Sequence, residues 1–203
     1  NAHVERISHH ENQVQVHSEH AQLAVDALLI ASGRQPATAS LHPENAGIAV
    51  NERGAIVVDK RLHTTADNIW AMGDVTGGLQ FTYISLDDYR IVRDELLGEG
   101  KRSTDDRKNV PYSVFMTPPL SRVGMTEEQA RESGADIQVV TLPVAAIPRA
   151  RVMNDTRGVL KAIVDNKTQR MLGASLLCVD SHEMINIVKM VMDAGLPYSI
   201  LRD

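Results

Sequence analysis

Thr64-Thr65-Ala66-Asp67-Asn68-Ile69-Trp70-Ala71-Met72-Gly73-Asp74-Val75-Thr76-Gly77 is the stretch on which the reading of this chain turns. A short apolar run, Ile69 to Met72, is cut off by Gly73-Asp74, which predicts a buried strand ending in a carboxylate. Thr76-Gly77-Gly78 then reads as a turn, with a helix expected from about Thr82. In open α/β sheets ligands collect at the carboxyl ends of strands. Asp74 is thereby placed to accept hydrogen bonds from the hydroxyls of a sugar or sugar alcohol. The amides that open the following helix suit an anion such as a phosphate. Taken as a dipeptide alone, Gly-Asp reads first as a turn in which Asp74 caps its own backbone, since such pairs are common after strands.

The longer pattern Thr-x-x-x-x-Ile-Trp-Ala-Met-Gly-Asp-Val resembles the second FAD-binding motif of the pyridine-nucleotide–disulfide oxidoreductases, the class I flavoproteins that include glutathione reductase, lipoamide dehydrogenase and mercuric reductase. The resemblance implies that Asp74 holds the ribityl chain of the flavin. It also implies that Gln80, Phe81, Thr82 and Tyr83 present backbone amides to the flavin. Thr82 fits the family's usual Thr, whereas Tyr83 stands where Pro or His is more common.

Working outward towards the start, Val4-Glu5-Arg6-Ile7, Val14-Gln15-Val16 and Leu23-Ala24-Val25 alternate and are split by polar turns, which predicts small antiparallel strands. Ala27-Leu28-Leu29-Ile30-Ala31 is wholly apolar and is expected to be a strand buried on both faces. It ends at Ser32-Gly33-Arg34-Gln35-Pro36, where Gly33 permits close approach of a ligand and Pro36 stops the strand. On local grounds a plain turn with a solvated Arg34 is an equal reading. The segment is similar to the family's Ala-Thr-Gly-Arg-x-Pro motif, which implies that Gly33 and Arg34 lie at the nicotinamide-nucleotide site. A further short strand is expected at Ile56-Val57-Val58.

Towards the end, Leu86, Tyr89, Val92 and Leu96 recur at helical spacing and are expected to pack a core, with Asp87 and Asp88 in the early turns where the helix dipole favours them. Gly98 stops that helix. Lys101 to Lys108 reads as an exposed linker. Beyond Val110, strands are expected at Ser113–Phe115, Ser121–Gly124, Ile137–Leu142, Gly158–Val164 and Met171–Cys178. Thr126-Glu127-Glu128-Gln129 is a capping box. Ser181 to Ala194 should form a helix whose apolar face is Met184, Ile187, Val188, Val191 and Met192, with Ile185 at its edge. Phe115-Met116-Thr117-Pro118-Pro119-Leu120-Ser121-Arg122-Val123-Gly124-Met125-Thr126-Glu127 closely resembles a phrase of the family's C-terminal dimerisation domain.

The fold class implied is α/β with α+β. Residues 1–35 would be the end of a Rossmann-like NAD(P)-binding domain. Residues 36–107 would be a second segment of the FAD-binding domain. Residues 108–203 would be an α+β dimerisation domain with an antiparallel sheet. Within the family the sequence is similar to the branch holding mercuric reductase and the reactive-chlorine-resistance flavoproteins. The implied cofactors are FAD and NAD(P)H, and the implied reaction passes electrons from NAD(P)H through FAD and a cysteine pair to a disulfide or another oxidised acceptor. The implied partners are a second copy of the chain, joined through residues after Val110, and a small-molecule or ion acceptor. A metal-ion reductase on the same flavin core, and a non-catalytic dimerisation module, are the rival readings. The family's fingerprints and cysteine pair would precede Asn1, and its acid–base His-Glu pair would follow Asp203.

The composition agrees. With 203 residues, 43% hydrophobic, the chain can bury one sizeable core or two modest ones, and its net charge of −5 leaves no nucleic-acid footprint. No apolar run reaches membrane-spanning length. A single cysteine, Cys178, forbids an internal disulfide framework and fits a reducing cytoplasm. Having no second thiol beside it, Cys178 reads as structural. His182-Glu183 lacks the second His of a zinc motif, since Asn186 stands there, and the other histidines match no metal spacing.

Overall fold

A computed structural model describes residues 3–203, which divide into two compact units, one up to Leu96 and one from Leu97. Asn1 and Ala2, with which the expected first domain begins, lie outside the described residues.

The first unit opens with three antiparallel strands, β1 (Val4–His10), β2 (Gln13–Ser18) and β3 (Ala21–Val25), paired in chain order. These are the alternating runs read from the sequence, each somewhat longer than expected. The apolar run 27–31 departs from expectation: it forms no strand, and Leu29 and Ile30 are 88% and 72% exposed. A strand needs a neighbour's N–H and C=O groups, and no described segment runs beside this one. The expected strands at 56–58 and 69–72 reduce to isolated bridges, Val50 with Ile56 and His63 with Trp70, with single backbone bonds such as Ala71 N–H to the Leu62 carbonyl beside them. What closes this part of the unit is a set of tight turns packed on α1 (Thr82–Leu97).

The buried side chains of α1 are Ile84, Asp88 and Ile91, an i, i+4, i+7 stripe. This corrects the expected core face, because Leu86, Tyr89 and Leu96 are exposed. Asp88, expected only to sit in the early turns, is 2% exposed and points inward. The helix is rotated so that Asp88 faces the turn at Gly73.

The second unit is a five-stranded antiparallel sheet in the order β4-β5-β8-β7-β6, built from β4 (Tyr112–Val114), β5 (Leu120–Gly124), β6 (Ile137–Pro143), β7 (Val159–Asp165) and β8 (Met171–Leu177). Between β5 and β6 runs α2 (Glu127–Glu132). Its capping box forms as read: Thr126 Oγ1 accepts from the Gln129 amide at 3.1 Å and Gln129 Oε1 from the Thr126 amide at 2.9 Å. Two short helices were not foreseen, α3 (Pro148–Val152) and α5 (Ser199–Arg202). Helix α4 (Ser181–Asp193) lies on the sheet. Its buried side chains are Ser181, Ile185 and Val191, so Ile185 is central, not marginal, and Met184 and Ile187 are exposed. Val188 and Met192 pack partly against the core, as expected. A chain of hydroxyls ties helix to sheet: Ser113 and Ser121 meet at 2.7 Å, Ser121 and Ser181 at 2.9 Å, and Ser181 donates to the Pro119 carbonyl at 2.8 Å. Buried serines need such partners.

Candidate functional site

Asp74 does not end a sheet strand. It lies in the first turn of a 3-10 helix, Gly73–Thr76, entered from Met72 in extended conformation. Two glycines make that turn possible. Gly73 has φ +77, and a Cβ there would meet Ser85 Oγ at 2.9 Å. Its N–H donates to Asp88 Oδ2 at 2.7 Å, so a side chain of α1 holds the residue immediately before Asp74. Gly77 closes the turn at φ +73, where a Cβ would lie 2.7 Å from that of Ala55. Thr76 Oγ1 donates to the Gly73 carbonyl at 2.9 Å, and the Ile56 N–H donates to the Val75 carbonyl at 3.0 Å. Asp74 is therefore mounted on a fixed support, although its own side chain is 45% exposed.

Arg34 Nη2 lies 3.6 Å from Asp74 Oδ2. The pair is exposed and contributes little to stability, but it brings the two sequence phrases together. A pocket of about 490 Å³ lies beside them, lined by Arg34, Gln80 and Phe81. Sequence reasoning missed one part of the wall, Asn51, Arg53 and Ala55, and did not assign Gly77 and Gly78 to the lining. The signal for that wall was the turn signature Asn51-x-Arg53-Gly54. Thr82 and Tyr83 begin α1, and Tyr83 stacks on Phe81 with ring centroids 5.4 Å apart and planes 5° from parallel. Burial raises the Tyr83 hydroxyl above its ordinary pKa, so it remains a neutral donor. Gly33 has φ +110 with open space around it and is not among the residues lining the pocket.

Ahead of the turn, His63 sits between two carboxylates, with Nδ1 3.0 Å from Asp59 Oδ2 and Nε2 3.5 Å from Glu95 Oε1. Its ring lies 5.3 Å from that of Trp70. Burial alone would raise the Asp59 pKa, but hydrogen bonds from the His63 side chain and from the His63 and Arg61 amides outweigh it and hold the carboxyl below its ordinary value. A depressed carboxyl stabilises the fold above the ordinary aspartate range, and that contribution is lost as pH falls through the folded value. Acid unfolding followed by Trp70 fluorescence should therefore be shallower for Asp59→Asn than for the parent at pH values below about 4.

Cys178 directly follows β8 and is buried; burial, with the charge of Asp180 adding to it, raises the thiol above its ordinary pKa. A neutral, enclosed thiol is a poor nucleophile.

Two family models account for most of the chain: pyridine nucleotide-disulphide oxidoreductase over residues 1–88, and the dimerisation domain of the same proteins over residues 110–203. The chain belongs to the pyridine nucleotide-disulphide oxidoreductase family. Members of this family are FAD-dependent oxidoreductases that use NAD(P)H. Among relatives, a mercuric reductase of Staphylococcus aureus is 35% identical over 190 residues, covering 94% of this chain and 35% of that protein. A mercuric reductase of Streptomyces lividans is 37% identical over 175 residues, covering 86% and 37%. The dihydrolipoyl dehydrogenase of Bacillus subtilis is 32% identical over 182 residues, covering 90% and 38%. The chain thus spans little more than a third of the length of these relatives. The crystal structure of LpdA from Mycobacterium tuberculosis has the same fold, with a TM-score of 0.85 at 23% identity over 98% of this chain and 43% of that one. No helix among the described residues is long and apolar enough to cross a membrane.

Proposed function

We propose that this chain carries one wall of the flavin and nicotinamide sites, and the dimer interface, of an oxidoreductase that passes electrons from NAD(P)H through FAD and a cysteine pair outside these residues to a disulfide or another oxidised acceptor. The observation that carries this reading is the convergence of Arg34, Gln80 and Phe81 on one pocket, with Asp74 joined to it through Arg34. The residues present suit the cofactor. Gly78 lines the pocket with nothing nearer than 3.8 Å to where a Cβ would be, and an exposed carboxylate on a rigid turn can accept from polyol hydroxyls. When bound, the flavin supplies the hydride and electron chemistry. The chain's part is placement: Asp88 fixes Gly73, Gly73 fixes Asp74, and Asp74 orients the polyol. Gly33, Arg34, Gln80, Phe81, Thr82 and Tyr83 complete the proposed contacts.

In the full-length protein Asp74→Ala should weaken flavin retention by about 0.5–1.5 kcal/mol, roughly two- to twelvefold in the dissociation constant. Flavin fluorescence on dilution measures it, and an unchanged constant removes Asp74 from the site.

The homology to mercuric reductases favours one alternative acceptor, a metal ion. NADPH oxidation assayed with metal ions against small disulfides separates the two. A homodimer through the residues after Val110 is part of the proposal, supported by the dimerisation-domain match and by exposed apolar side chains at Phe115, Ile187 and Met190. We place the protein in the cytoplasm, where the unpaired Cys178 fits a reducing milieu.

A further inference from the structure

The second unit holds a cavity of its own, about 290 Å³, between α3 and the start of α4. Val144, Ile147, Met153 and Met184 give it apolar walls, and Cys178 lies among them. Three charged side chains also line it, Arg149, Asp155 and Asp180. Asp155 is already neutralised, because Arg157 donates to its two oxygens at 2.9 and 2.7 Å. Arg149 and Asp180 are different. Among the described residues neither side chain makes a hydrogen bond or an ion pair, not even with the other across the cavity.

Asp180 occupies the position before α4, where an aspartate ordinarily accepts from the first free amides of the helix. Its carboxylate makes no such bond, and its backbone is left-handed at φ 59. That conformation costs an L-residue energy and persists where the surroundings impose it. The Glu183 and Met184 N–H groups donate to the Asp180 carbonyl at 3.0 and 3.1 Å, and the next residue, Ser181, is bonded through its hydroxyl to Ser121 and the Pro119 carbonyl. The carboxylate is thereby left to the cavity, near enough to Cys178 that its charge adds to burial in raising the thiol pKa. The facing wall is equally fixed. The Val144 N–H donates to the Gly158 carbonyl at 3.1 Å, Arg151 Nε to the Ala145 carbonyl at 2.7 Å and the Asp155 N–H to the Ala150 carbonyl at 3.1 Å. A cavity shaped by main-chain bonds in this way is preformed, as small-molecule sites are.

A ligand that satisfies it carries an anion for Arg149, a cation for Asp180 and an apolar body between them. The guanidinium fork matches the two oxygens of a carboxylate, and the Asp180 carboxylate accepts from an ammonium. The sulfur-bearing side chains of Met153, Met184 and Cys178 adapt to an irregular aliphatic chain. We infer that this cavity binds a free hydrophobic α-amino acid. It lies wholly within the second unit, and none of its residues is among the flavin or nicotinamide contacts proposed above.

Isothermal titration of the full-length, flavin-loaded protein tests it. L-leucine and L-methionine are compared with three probes that each lack one feature: L-leucinamide has no carboxylate, 4-methylpentanoate no ammonium and glycine no side chain. Leucine and methionine should bind measurably at millimolar concentration and about tenfold or more tightly than any of the three, as expected for one charge-assisted contact or one apolar side chain lost. Arg149→Gln should weaken leucine about tenfold and leave leucinamide unchanged. Asp180→Asn keeps the side-chain shape, tolerates the left-handed backbone, and should weaken leucine to a similar degree while leaving 4-methylpentanoate unchanged. Both side chains are exposed, so circular dichroism should show each variant folded as the parent is. Leucine binding that is undetectable in the parent, or unaltered by either substitution, overturns the inference. So does binding of leucinamide or 4-methylpentanoate as tight as that of leucine, a comparison made on the parent alone and independent of any variant.

Discussion

Asp88→Ala is expected to lower the stability of the first unit by about 1–3 kcal/mol, the cost of leaving a buried donor without its acceptor. The Gly73 N–H would lose the oxygen now 2.7 Å away, in a place from which water is excluded, since Asp88 is 2% exposed. The single tryptophan of the chain, Trp70, lies three residues before Gly73 and reports on this unit. Urea unfolding followed by its fluorescence should show the midpoint fall with little change in slope. Asp88→Asn retains a carbonyl acceptor of the same shape and should recover most of the loss. A midpoint unmoved by Asp88→Ala would mean that the Gly73 turn does not depend on α1. In the full-length protein the same variant should release flavin more readily than Asp88→Asn does, because a turn that loses its anchor no longer fixes Asp74.

Ile185→Ala is expected to cost the second unit about 2–5 kcal/mol, the range for truncating a large aliphatic side chain in a closed core. Ile185 is 2% exposed and belongs to the cluster with Val123, Val164, Ala174 and Leu176. Thermal unfolding monitored by far-ultraviolet circular dichroism should record the shift. Ile187, two residues on, is 57% exposed, and its replacement by alanine should change folding stability by no more than about 0.5 kcal/mol. Should α4 contribute to a dimer, Ile187→Ala should instead raise the dimer dissociation constant in sedimentation equilibrium. The two variants together separate the face that packs on the sheet from the face left for a partner. Equal effects on folding would contradict the observed orientation of α4.

Much of the second unit was legible because its signals are local. The capping box at Thr126–Gln129 satisfies its own donors within one turn. The runs that became β7 and β8 pair with each other around the turn at Asp165–Arg170, and β6 pairs with β7 from just before it in the chain. The motif phrases were legible for a related reason, since glycine, aspartate and proline at fixed offsets are demanded by backbone geometry. Periodicity gave the existence of α1 and α4 but misjudged which face is buried. Leu86 is as apolar as Ile84 and Ile91, so apolarity alone does not say which set turns inward, and Asp88 meets Gly73 from the buried side.

What the sequence by itself determined, then, is the family, the two glycines that shape the Asp74 turn, and the extent of both long helices, because each depends on residues within a few positions of one another. Whether Ile69–Met72 lies in a sheet, that a carboxylate at position 88 is buried, and that Arg53 shares a pocket with Arg34 and Gln80 were decided only by tertiary structure. Those properties depend on which distant groups arrive to accept a hydrogen bond, exclude water or leave a charge unpaired, and no local pattern encodes that arrival.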